Sequence, residues 1–179
     1  LTLIALTISF SMNAQLTAVT EGGNTGQRLS TSNASNHGDI GSNAVDLSYS
    51  SGSSSTRGAT GSNAVAMGER TTASGSHSTA MGNDTTASGV MSTAMGSSST
   101  ASGTFSTAMG GNTNASGLVS TAMGGSTTAS GDYSTAMGYE TTASGSISTA
   151  MGGSTTASGS TSTAMGKYTI ASDYALSLI

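Results

Sequence analysis

The sequence predicts an all-β chain, a parallel β-roll or solenoid of 14-residue coils with two short strands in each coil. Three observations lead there. From Ser78 onward the text reads Ser-Thr-Ala-Met-Gly, two free positions, Thr-Thr-Ala-Ser-Gly, two free positions, and Met67, Met81, Met95, Met109, Met123, Met137, Met151 and Met165 keep one beat. A fixed short period means one small unit stacked on itself. Glycine also recurs too often for a helix, where each would cost about 1 kcal/mol relative to alanine. Finally, the residues between glycines alternate in character, which reads as strand and turn. The constant phase separates the chain from a Gly/Ser linker, whose spacing drifts freely.

The elements follow in chain order. Leu1 to Phe10 is apolar and is followed by Ser-Met-Asn-Ala-Gln, so 1–14 reads as a secretory signal peptide cleaved after Ala14, its charged start missing. The run is too short to cross a bilayer as a helix. Residues 15–40, which include Glu21-Gly22-Gly23, read as an irregular segment. Asn43-Ala44-Val45-Asp46-Leu47-Ser48 returns twenty residues later as Asn63-Ala64-Val65-Ala66-Met67-Gly68, so 41–60 reads as a degenerate first coil carrying a short loop. The repeats then fill 41–179, and the last copy is cut off at Ile179. Glycine is expected at the turns because it accepts positive φ. With coils about 4.8 Å apart, eight of them would make a rod roughly 40 Å long.

Alternation assigns four faces, because successive side chains in a strand point to opposite sides. Ser78 and Ala80 in the first strand, and Thr85 and Ala87 in the second, are small enough to share a narrow interior. Their hydroxyls should then find partners in neighbouring coils. The outer face of the second strand is polar, with a ladder of Thr72, Thr86, Thr100, Thr128, Thr142 and Thr156 that Asn114 interrupts. The outer face of the first strand is an apolar ribbon, in which Phe105, Val119, Tyr133 and Ile147 join the Met series. Burying each such side chain is worth about 1.5–3 kcal/mol. A ribbon left wet would aggregate, so identical chains are expected to pack their ribbons together around an axis.

Little here points to chemistry. The formal net charge is −4, the charged residues are 7% of the chain, and there is no cysteine. No basic stripe suits a nucleic acid, and no disulfide framework exists. His37 and His77 fall in different regions, and Glu69, Asp84, Asp132 and Glu140 are scattered at turns. The serines have no phased histidine or aspartate to activate them, and the Gly-Gly-x-Gly-x-Asp pattern of calcium-binding rolls is absent. The expectation is therefore no enzyme, no cofactor, no metal and no membrane insertion within the chain.

Asn63-Ala64-Val65-Ala66-Met67-Gly68 and its in-phase successors resemble the head repeats of trimeric autotransporter adhesins, of the YadA-like type. The resemblance covers roughly 41–179. Thr79 stands where the family often has Val, and Met81 where it has Ile. The resemblance implies a left-handed roll, a homotrimer, and a place on the cell surface or outer membrane. It also implies a non-catalytic role in binding extracellular matrix proteins, other cell surfaces or sister molecules. Glu69, Arg70, Asp84, Tyr139 and Glu140, at variable positions, are with the Thr ladder the expected ligand-facing surface. Two other readings use the same face. A regular Thr array could order water as an ice-binding solenoid does, and a stack of coils could serve as a passive spacer or fibre segment.

Overall fold

The computed structural model describes residues 16–172 and 177–178. The expected signal peptide lies outside the described residues. From there the chain winds as a β-solenoid, with one 12-stranded and one 9-stranded sheet running along the stack. Strands β1 (Leu16–Glu21) and β2 (Asn24–Leu29) open the larger sheet as an antiparallel hairpin. Strand β3 (Val45–Tyr49) continues it in parallel, and β4 (Gly58–Ala59) opens the smaller sheet. Strands β5 (Val65–Glu69) and β6 (Thr72–Ala73) then set a unit of one long and one short strand. That unit recurs as far as Thr163–Lys167 and Ile170–Ala171.

The hairpin corrects the expectation of irregular structure over this stretch. Gly22 and Gly23 take φ of 54° and 82°, the left-handed pair that a two-residue hairpin turn needs. The extra length of the first coil is carried outside the ladders. Val45 pairs with Val65 and Leu47 with Met67 in the same register as later coils, while residues 50–57 pass between β3 and β4.

The interior follows the alternation. Ala80, Ala87 and their equivalents are fully buried, as are Ser78, Thr85 and theirs. The hydroxyls do not pair as expected: Ser78, Thr85, Ser92, Thr127 and several others have no hydrogen-bond partner among the described residues. Equivalent atoms in successive coils inherit the strand spacing of about 4.8 Å, beyond hydrogen-bond reach. One pair departs from this. Ser99 lacks the methyl of threonine, accepts from Thr113 Oγ1 at 2.9 Å and donates to the Gly110 carbonyl at 2.9 Å.

The second strand is shorter than its five-residue motif suggests. The N–H groups of Ser88 and Gly89 both donate to the Ala101 carbonyl, at 3.0 and 3.2 Å, and the same fork recurs at Ser102 and Gly103 on Ala115. Two donors on one acceptor end the regular ladder and bend the chain.

The left-handed turn residue is also not glycine. It is the second free position of each half-repeat: His77, Asp84, Met91 and Ser98 have φ of 59°, 54°, 54° and 54°. The glycines serve close approach. A Cβ on Gly82 or Gly89 would strike the carbonyl oxygen of Gly96 or Gly103 in the next coil. Gly82 also sits at φ 124°, within a strand rather than at a turn.

Candidate interaction surface

The long strands place methionines in direct register, Met67 on Met81 on Met95 and so on to Met165. Nothing among the described residues covers this column. Met67 and Met81 are each 37% exposed, and Met95, Met123, Met137, Met151 and Met165 are half-buried. Outward threonines such as Thr107 and Thr121 lie beside them on the same strands, also half-buried.

Phe105, Val119, Tyr133 and Ile147 are not in those strands, contrary to simple alternation. With Met91 they occupy the leading corner, two residues before each long strand, at φ of 53–58°. Each corner N–H is bonded to the coil before it, as Phe105 to the Val90 carbonyl at 2.9 Å and Val119 to that of Thr104 at 2.8 Å. The side chains point into solvent, Phe105 at 52% exposure and Ile147 at 58%.

This corner is an expensive place for such residues. The left-handed region costs an L-residue roughly 1–2 kcal/mol, and a β-branched side chain there is an outlier. The trailing corner, after each long strand, shows the ordinary solution. It holds Arg70, Asp84, Ser98, Asn112, Ser126, Glu140 and Ser154 in the same conformation. Strain at the polar end of the leading column can be tested directly. Thr161 has φ 56°, as Asn63 has φ 55° at the equivalent corner. Thr161→Asn should raise stability by about 0.5–1 kcal/mol, read as a higher denaturation midpoint with an unchanged slope.

The second sheet bears the Thr ladder in register, Thr72 on Thr86 on Thr100, then Asn114, Thr128, Thr142 and Thr156, ending at Ile170. Each short strand offers a single outward position. Of the other expected surface residues, Glu69 and Tyr139 belong elsewhere: they end long strands, on the Met-bearing sheet. Arg70, Asp84 and Glu140 hold the adjacent trailing corner. Arg70 meets Asp84 at 3.4 Å, Asn83 donates to Glu69 at 3.1 Å, and Ser154 donates to Glu140 at 3.0 Å. The Glu140 carboxylate, by hydrogen bond and charge, raises the pKa of the exposed Tyr139 phenol. Lys167 lies over the Tyr168 ring at 4.8 Å.

Sequence spacing gave no sign of a buried polar plug at the start of the solenoid. Arg28 of β2, His37, and Asp46 and Ser48 of β3 are all nearly or fully buried. Asp46 Oδ2 lies 3.2 Å from Arg28 Nε and 3.1 Å from His37 Nδ1, while its Oδ1 accepts from the Ser48 hydroxyl at 2.6 Å and the Ser48 N–H at 3.0 Å. Arg28 also reaches Glu21 at 2.8 Å and the Gly38 carbonyl at 3.0 Å. Burial alone would push the Asp46 carboxyl up, but the hydrogen bonds from His37 and Ser48 outweigh it and hold its pKa below the ordinary carboxylate value. Serine, histidine and aspartate meet here, yet not as a nucleophile relay. Ser48 Oγ approaches the same ring nitrogen as Asp46, at 3.4 Å, whereas a relay needs them on opposite nitrogens.

Among the described residues no group of three or more His, Cys, Asp or Glu could hold a metal ion, and no helix is long and apolar enough to cross a membrane. Comparison with curated proteins finds no match. A family model described as YadA head domain repeat (2 copies) does match, at residues 59–85, 87–113, 115–141 and 143–169, together more than half of the chain.

Proposed function

The chain belongs to the YadA head repeat family, and from that premise we propose that it is the non-catalytic head of a cell-surface adhesin. Chains associate as homotrimers through the Met column and the leading corner. The Ser/Thr sheet stays free to meet matrix proteins, other cell surfaces or further heads. An anchor holds the assembly at the outer membrane. The observation that carries this reading is the uncovered, in-register Met column. An interior of alanines and hydroxyls supplies little apolar area to a lone chain. Each methionine of the column is at most 37% exposed, so covering it contributes about a third of the 1.5–3 kcal/mol of full burial, and the gain accumulates along the column. Three aligned copies of a weakly binding polar sheet also gain combined strength without any new contact.

Met109→Asp combined with Met123→Asp should yield monomers by light scattering, because both charges would be buried unpaired at the axis. Thr128→Asn should leave the assembly intact, since Asn114 already holds the equivalent site one coil earlier. A wild-type chain that is a soluble monomer, or equal behaviour of the two variants, overturns the reading.

A further inference from the structure

We propose that the leading corner of each chain seats on the trailing edge of the next copy, apolar knobs over a glycine shelf. This deepens the self-association reading and rests on it. The two edges are the opposite ends of each long strand, so every coil carries one of each. In the coils where the leading corner bears Phe105, Val119 and Ile147, the residue ending the same long strand is Gly111, Gly125 or Gly153. Around Gly111 nothing lies within 4 Å of where a Cβ would stand, so the shelf is open there, while the Tyr139 ring borders Gly125 and the Lys167 stem borders Gly153. Toward the N-terminal end both edges turn polar together, with His77 at the leading corner and Glu69 and Asn83 at the trailing edge.

A large leading residue therefore stands opposite a glycine in three coils, while the coil between them carries Tyr133 and Tyr139 at its two edges. A surface that fits another surface rather than itself makes a head-to-tail contact, and such contacts close into a ring when the rotation allows. A rotation about an axis parallel to the stack keeps coils level, so knob meets shelf in the Phe105, Val119 and Ile147 coils. The strain at the leading corner has the same explanation. Apolar side chains are held in a conformation that the trailing corner fills with Asp84, Ser98 and Asn112. The neighbouring copy is what they are held out to meet.

Cysteine pairs test this without interference, because the chain has no cysteine. Residues 105 and 111 bracket one extended strand at about 3.3 Å per residue. They cannot be bridged within a chain, since a disulfide needs Cα atoms within about 7 Å. Under mild oxidation, Phe105→Cys/Gly111→Cys should form a single closed, covalently linked oligomer on non-reducing gels, and each single variant should not. A second pair, Val119→Cys/Gly111→Cys, covers a stagger of one coil between copies. Efficient linking of either double variant supports the contact. Linking of single Phe105→Cys or Val119→Cys chains would mean a like-to-like contact and overturns it. So does failure of both double variants in protein that light scattering shows to be associated. A monomeric parent chain is a different failure: it removes the Met-column reading first and this contact with it.

Discussion

Gly110→Ala should cost the fold of the single chain roughly 3–5 kcal/mol, while Gly111→Ala, one residue further, should cost that fold less than about 0.5 kcal/mol and act instead on association, through the proposed shelf. The two glycines end the same strand and differ in what surrounds them. Gly110 has φ 127°, and a Cβ there would strike the Gly124 carbonyl oxygen. That oxygen is backbone within a paired strand, so it cannot move aside without breaking the rungs next to it. Gly111 lies outside the left-handed region and faces open space. Because each coil touches only its neighbours, damage at Gly110 should spread as loss of the flanking coils rather than as uniform weakening. Denaturation midpoints at matched protein concentration, with hydrogen exchange to locate the loss, would check both variants. Similar midpoints for the two would refute the stacking argument.

Asp46→Ala should destabilise the start of the solenoid by about 3–5 kcal/mol, because it leaves Arg28 buried with one fewer partner and removes the carboxylate that His37 and Ser48 contact. The same group sets an acid limit. The folded pKa of Asp46 is depressed, so its stabilisation is complete above the unfolded carboxylate value of about 3.9. It is lost as pH falls through the lower folded value. Amide exchange in β2 and β3 should therefore rise below about pH 4, while that of Thr121–Gly125 in mid-array stays slow. In Asp46→Ala the exchange should already be fast at neutral pH and should lose this pH dependence. Equal acid sensitivity at both places would place the lability elsewhere.

The interior was legible because period two is robust. Ser78, Ala80, Thr85 and Ala87 fall inward whatever the detailed turn geometry. The Met column was legible for the same reason. The corners were not. The conformation at Phe105, Val119 and Ile147 is the one their side chains favour least, so local preference argued against it. Asn63, Asp84 and Asn112, all residues that tolerate positive φ, held the usable hint. The two-residue strand depends on Ser88 and Gly89 sharing one acceptor in the next coil, which spacing within a single repeat does not reveal. The plug was invisible for a different reason. Arg28 and His37 precede the periodic array, and they meet Asp46 of its first coil through tertiary packing. The hairpin was within reach, since Gly22-Gly23 carries its turn signal.

The lack of period at the plug has a consequence for how the chain finds its winding. Rungs that are nearly interchangeable can pair out of step by a whole coil with little penalty, and Ala, Met and Gly would still meet their own kind. The cluster around Asp46 has no second copy to be confused with, and it bonds β2, β3 and the segment at His37 in only one arrangement. It therefore acts as an origin from which the coils are counted, fixing the frame of an array whose paired Ala, Met and Gly rungs are alike.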